Sequence, residues 1–293
     1  MERQLLALIA GALLVTCQTV PEPGADDKYT ISMPNVKAQF IPYGATLTNL
    51  FVKDKSGNDV DVVLGYDDLA KDPGHPVYNS IPGRHVNRIG HDTSIAFSVS
   101  DASNSSLGML SNLEASVTYS IANSTWNIKM VADDSSCNAH APTAHLLQPR
   151  RVPKPQHGQD MEPHAIHPVL GALSIGKILI GSVGNINDFA STPDMQLGHA
   201  TGQPGFKGNC GADGACEGYN GYWLVEDAPC NAVVAGLTSP FSGIKAELRT
   251  DQPGVMVYSC NWFDGTAALK STQGLRESRN VTRSSCVALE AQD

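Results

Sequence analysis

Five histidines, His140, His145, His157, His164 and His167, crowd into the stretch between Cys137 and Lys177, together with Arg150-Arg151 and Pro142, Pro149, Pro153, Pro155, Pro163 and Pro168. Imidazoles at this density have two ordinary readings. They form a metal-binding tract, or they sit in a loop that proline keeps out of helix and sheet. The seven cysteines are Cys17, Cys137, Cys210, Cys216, Cys230, Cys260 and Cys286. Structural zinc sites are commonly built on C-x2-C pairs, and the chain has none. Disulfides are the better expectation, and Cys210 and Cys216 flank the short loop Gly211-Ala-Asp-Gly-Ala215, a natural one to staple. Sequons of the form N-x-[ST] begin at Asn104, Asn123 and Asn280.

The elements that must position such groups read as strands. Tyr29-Thr-Ile-Ser-Met, Ala38-Gln-Phe-Ile, Leu47-Thr-Asn-Leu-Phe-Val and Val60-Asp-Val-Val-Leu follow one another, with a turn signal at Lys55-Ser-Gly-Asn58. Ser94-Ile-Ala-Phe-Ser-Val-Ser and Glu114-Ala-Ser-Val-Thr-Tyr-Ser-Ile alternate strictly, and Asn123-Ser joins the second to Trp126-Asn-Ile-Lys-Met-Val as a hairpin. Ile244-Lys-Ala-Glu-Leu-Arg and Val255-Met-Val-Tyr-Ser-Cys flank Gln252-Pro-Gly254. No long amphipathic helix is predicted. The expectation is one all-β domain of sandwich type over residues 27–293, interrupted where periodicity collapses at 137–177. That interruption is expected to be poorly ordered.

With 293 residues and 41% hydrophobic composition the chain has enough apolar side chains for a large core. A net charge of −9 argues against a nucleic-acid partner, because phosphates call for a Lys/Arg surface. Met1-Glu-Arg-Gln followed by the apolar run Leu5–Thr16 reads as a signal peptide, about residues 1–20, with cleavage between Thr16 and Ala25. The run is too short to span a bilayer. A secreted, extracellular protein with no membrane partner after cleavage is therefore expected, and the cysteines agree with export. The competing reading of the run is a buried first helix.

Three segments together resemble the aldose 1-epimerase (galactose mutarotase) family, in its secreted fungal-like type. Gly44-Ala-Thr-Leu-Thr-Asn-Leu, Asp61-Val-Val-Leu-Gly-Tyr-Asp-Asp and Gly83-Arg-His-Val-Asn-Arg-Ile89 follow the order and spacing of that family's N-terminal half. Gln252-Pro-Gly-Val-Met-Val-Tyr-Ser-Cys-Asn261 is similar to a late strand beside the sugar, and Val287-Ala-Leu-Glu-Ala-Gln-Asp293 to the segment presenting a catalytic glutamate. The resemblance covers residues 29–134 and 178–293 and implies a galactose mutarotase-like β-supersandwich. It implies interconversion of the α and β anomers of free hexoses such as galactose or glucose. A base takes the C1 hydroxyl proton, an acid protonates the ring oxygen, and the opened ring recloses on its other face. No cofactor and no metal are needed. By the same resemblance Glu290 is the catalytic base, while Arg88 and Asn220 bind the sugar, Asn220 standing where many members carry Asp.

Two departures stand out. After Arg88-Ile-Gly90 the family runs on to a Leu-His-Gly-Gly motif bearing one catalytic histidine, whereas this chain passes from His91-Asp92 almost directly to Ser94-Ile-Ala-Phe. His91 is too close to Arg88 to stand in. The family's His-x-Tyr-x-Asn-Leu motif, whose histidine is the general acid, is also missing where 137–177 falls. Reading one nucleotide forward changes this. Met161 is ATG and Glu162 begins with G, so the shifted codon is TGG, tryptophan; the next shifted codons allow Asn, His, Thr and Leu. From Ala144 onward the shifted codons allow H-T-Y-F-N-L-D-A-F. The expectation is that this stretch is a frameshift or splice error, which leaves the enzyme impaired. The competing functions are a non-catalytic secreted carbohydrate-binding protein and a secreted structural protein without a ligand. Sequencing the transcript across codons 88–180 is expected to reveal a one-nucleotide displacement or a displaced splice junction near 137–177. A transcript that encodes this chain without interruption sinks the frameshift.

Overall fold

A computed structural model describes residues 23–25, 28–65, 67, 87–101, 112–134, 146–149, 172–175, 186–189, 195–210, 216–225, 232–273 and 280–292. The expected signal peptide, the sequon at Asn104, and Cys17, Cys137 and Cys230 lie outside the described residues, as do His140, His145, His157, His164 and His167. Among the described residues the regular structure is all strand apart from one 3-10 turn, Tyr43–Ala45.

Strands β1 (Tyr29–Met33), β2 (Val36–Ile41), β3 (Thr46–Lys53) and β4 (Asp59–Asp61) form an antiparallel sheet in chain order. Its side chains alternate as the sequence predicts: Tyr29 and Ile31 are buried while Thr30 and Ser32 face water. The β3–β4 turn closes on Asp54, whose Oδ1 accepts from the backbone N–H groups of Ser56 (2.8 Å) and Asn58 (2.9 Å). Gly57 takes φ +82° there, a conformation that costs glycine little. A second sheet holds β5 (Asn87–His91), β6 (Ser94–Asp101), β7 (Leu113–Ala122) and β8 (Thr125–Asp134). Asn123 and Ser124, both at positive φ (48° and 63°), make the two-residue turn expected between β7 and β8. These two sheets share one core. Phe40 stacks on Tyr119 at 4.7 Å and meets Phe97 at 6.0 Å. The Tyr119 hydroxyl donates to the Ala45 carbonyl at 3.1 Å, so the buried ring leaves no polar atom stranded.

Two further four-stranded sheets make up the second half. One runs β11 (Met195–Gln196), β10 (Ala172–Ile175), β13 (Ala235–Thr238), β14 (Lys245–Leu248). The other runs β12 (Asn220–Leu224), β15 (Gly254–Tyr258), β18 (Cys286–Gln292), β9 (Leu146–Pro149). Both meet over Phe189, Phe206, Tyr219, Trp223, Val255 and Val287. A hairpin of β16 (Asp264–Ala268) and β17 (Asn280–Thr282) stands beside them. The expected disorder of residues 137–177 does not extend to 146–149 and 172–175, which are β9 and β10; the rest of that stretch lies outside the described residues. Pairing to β18 and β13 draws on backbone N–H and C=O groups, so it needs no alternating side chains.

The first sheet is fastened to the loop after β16 by a buried ion pair. Lys270, 2% exposed, reaches Asp61 at 2.8 Å and also donates to the Thr48 carbonyl. Asp61 accepts further from Asn49 Nδ2 (2.7 Å), Thr272 Oγ1 (2.7 Å) and the Leu50 N–H (3.2 Å). Gln273 Nε2 donates to the carbonyls of Asp61 and Val63, and the Asp67 carboxylate accepts from the Ser271 N–H at 2.7 Å. Burial pulls the Lys270 ammonium below its ordinary value, and Asp61 opposes that fall. Removing one partner strands a dry charge. Lys270→Met is expected to lower unfolding free energy by about 3–5 kcal/mol in urea titrations, with Lys270→Met/Asp61→Asn recovering part of the loss. A loss below about 1 kcal/mol in the single variant overturns the clasp.

Candidate active site

Register decides which side chains share a face of the β12–β15–β18–β9 sheet. Tyr222 pairs with Met256, and Met256 with Glu290; one step along, Asn220 pairs with Tyr258, and Tyr258 with Ala288. Directly paired residues project to the same side, so these rows form one surface. Trp223, Val255, Val257, Val287 and Leu289 take the opposite surface, in the apolar core. Glu290 is thus turned away from that core, yet it is only 8% exposed. On that same face the first half of the chain docks: Leu64, which follows β4, packs with Tyr258, Phe263, Ala288 and the cysteines Cys260 and Cys286.

Tyr258 is the polar neighbour of Glu290. Burial raises its phenol above the ordinary value and the Glu290 carboxylate adds to the rise, while N–H groups of Trp262 and Asn261 oppose it. The phenol therefore keeps its proton at neutral pH. The loop after β15 is tied down at several points. A disulfide joins Cys260 to Cys286 at the start of β18. Asn261 Nδ2 donates to the Tyr219 carbonyl at 2.7 Å, and Ser259 Oγ donates to Asn261 Oδ1 at 2.5 Å. At the outer edge, a cavity of about 90 Å³ is lined by Asn187, Asn209, Gly221, Tyr222 and Trp223. Its two asparagines exchange reciprocal amide hydrogen bonds of 3.1 Å.

Of the residues expected at a sugar site, Glu290 and Asn220 lie on the same face of one sheet, two strands apart, with Asn220 exposed and Glu290 covered. Arg88 is in β5 opposite Phe97, in the second sheet; its side chain lies outside what is described, and so does that of His91. One described histidine had no role in the sequence reading. His199 packs edge-on against Phe189 (5.1 Å) and lies 3.5 Å by its Nδ1 from the Tyr219 hydroxyl. Tyr219 and Phe189 belong to the apolar core on the far side from Glu290, so His199 is an aromatic packing residue there. Its isolation in the sequence, far from any other histidine, offered no signal for this. Among the described residues no group of three or more His, Cys, Asp or Glu is arranged to hold a metal.

Residues 27–98 match the family model described as aldose 1-epimerase. A probable aldose 1-epimerase of Arthroderma benhamiae is 25% identical over 320 positions, covering 85% of this chain and 72% of that protein. An epimerase of Gibberella zeae is 25% identical over 326 positions, covering 85% of this chain and 74% of its own length. The galactose mutarotase of Sus scrofa is 35% identical over 71 residues, 24% of this chain and 21% of that protein. In the first alignment, 85% of 293 residues is about 249, so about 71 of the 320 positions face gaps in this chain. The solved structure of a GalM/aldose epimerase homologue from C. elegans superposes with a TM-score of 0.65 at 17% identity, covering 90% of this chain and 88% of that one, which establishes the fold. The expected galactose mutarotase-like β-sandwich is therefore the observed architecture, and residues 27–98 carry the likeness to the aldose 1-epimerase family.

Proposed function

We propose that the protein is a secreted aldose 1-epimerase acting on free hexoses such as galactose or glucose, impaired in its present sequence. The observation that carries this reading is Glu290: an acidic side chain 8% exposed, on the sheet face turned from the core, in one row with Met256 and Tyr222 and one step from Tyr258 and Asn220. In the proposed reaction Glu290 takes the C1 hydroxyl proton, and the carbonyl forms as the C1–ring-oxygen bond breaks. An acid delivers a proton to the ring oxygen, the C1–C2 bond rotates, and the steps reverse. Asn220 and Arg88 hold sugar hydroxyls, and no cofactor enters.

The acid is the deficient part. In the shifted reading, the motif with the acid histidine falls on residues 144–149, and residues 146–149 are β9, which pairs with β18, the strand of Glu290. A strand beside that of Glu290 in this part of the chain supports the displaced reading. Export is supported by the two disulfides Cys210–Cys216 and Cys260–Cys286, which an oxidising compartment maintains. The second reading, a secreted carbohydrate-binding protein without catalysis, is favoured by the roughly 71 relative positions that face gaps in this chain.

Polarimetry on fresh α-D-galactose separates these. This chain is expected to run about 100- to 10,000-fold below a competent mutarotase, the usual loss without a positioned general acid. The same protein with 137–177 in the shifted frame is expected to regain part of that rate, and Glu290→Gln in that background to abolish the gain. Full recovery needs the Leu-His-Gly-Gly segment as well, since catalytic groups act jointly. Full activity in the present chain overturns the impairment; a shifted protein indifferent to Glu290→Gln overturns the base.

A further inference from the structure

Trp262 leaves 52% of its surface in water, although both residues before it, Cys260 and Asn261, are buried. An exposed indole is ordinary on a flexible loop; this one stands on a rigid base. The Cys260–Cys286 disulfide ties the loop to the first residue of β18, the strand of Glu290. Asn261 bonds to Ser259 and to the Tyr219 carbonyl, and the Ser259 N–H also reaches that carbonyl at 3.0 Å. Tyr219 immediately precedes Asn220, the first residue of β12. Just before it, Gly218 sits at φ +141° with no room for a Cβ against Asn261 and Ser259, so the two segments are closely fitted. The Trp262 N–H itself donates to the Tyr258 hydroxyl at 3.3 Å. Its backbone is therefore fastened between the strand of Glu290 and the start of Asn220's strand, at the end of the polar row.

We propose that Trp262 is the stacking platform for the apolar C–H face of a pyranose whose anomeric hydroxyl lies at Glu290. A pyranose has hydroxyls around its rim and C–H groups across its faces. Recognising it takes polar groups at the rim, supplied here by Asn220 and Glu290, and a flat apolar surface beneath. Indole offers the largest such surface of any side chain, with an electron-rich face that attracts polarised C–H groups. Holding it on a cross-linked loop lowers the ordering cost of binding. The other strongly exposed aromatics, Tyr43 on the 3-10 turn and Phe241 between β13 and β14, lie on segments not bonded to the Glu290 sheet by any such link. This inference rests on the hexose reading above and assigns the residue that orients the ring.

The test uses the full chain with D-galactose, by calorimetric titration and by acrylamide quenching of fluorescence. Of the three tryptophans, Trp223 is buried and Trp126 is partly buried in the first sandwich, so Trp262 dominates quenching. Saturating galactose is expected to shield the wild-type emission. Trp262→Ala is expected to weaken binding about tenfold, and Trp262→Phe to retain most of it. Unchanged affinity in Trp262→Ala, or no shielding of a wild type that binds, overturns the platform and leaves the hexose reading standing. A wild type that binds neither galactose nor glucose overturns both. Shielding is read on the unaltered protein, so a variant that fails to fold does not remove the test.

Discussion

The buried pair of Lys270 and Asp61 is the constraint on which the rest of the arrangement depends. Both charged groups are out of water, and each is surrounded by hydrogen-bonding partners: the Thr48 carbonyl for the ammonium, and Asn49, Thr272 and the Leu50 N–H for the carboxylate. Such a pair adds little net stability over an apolar pair of the same shape, but it tolerates almost no displacement, since a shifted partner leaves a dry charge. Asp61 belongs to the first sheet and Lys270 to the loop after β16. Their pairing therefore sets how the N-terminal half meets the second, and brings Leu64 against Tyr258 and Ala288. Gly65, one residue on, lies beside the Lys270 stem, where a Cβ would come within 3.5 Å of it.

Glu290 is 8% exposed in a strand that pairs on one side with β15 and on the other with β9. The period-two alternation of a strand then separates two chemistries on one sheet. Odd positions of β18 feed the apolar core shared with Trp223 and Val255, while Ala288 and Glu290 face the other way with Tyr258 and Met256. A slip of one residue would bury the glutamate in the core and expose the leucine beside it. The Cys260–Cys286 disulfide, at the end of β15 and the start of β18, resists such a slip.

Among the described residues, the proposed site brings no acid to match Glu290. His199, half-buried among Phe189 and Tyr219, is on the wrong side of the sheet to serve, and Tyr258, raised above its ordinary value beside Glu290, holds its proton too tightly to be a strong donor at neutral pH. An enclosed carboxylate with polar neighbours suits the proposed sugar binding, which is why binding and turnover separate as experimental questions for this chain.

Much of the strand content was legible beforehand because it is written in local alternation. Tyr29–Met33, Ser94–Asp101 and the hairpin across Asn123-Ser124 follow from side-chain period and from residues that tolerate positive φ, and neither depends on distant contacts. The short strands β12, β13, β16 and β17 were not legible, since three to five residues have no distinctive period and become strands only through their partners. β9 and β10 are the extreme case, formed in a stretch whose own pattern opposes regular structure. Local pattern was enough for an all-β chain, its turns, the Cys210–Cys216 link and a family resemblance that singles out Glu290. The burial of Lys270 against Asp61, the packing role of His199 and the shared face of Glu290 and Asn220 came from the folded arrangement. Those outcomes are set by pairing and docking between segments tens to hundreds of residues apart, and such contacts leave no trace in local spacing.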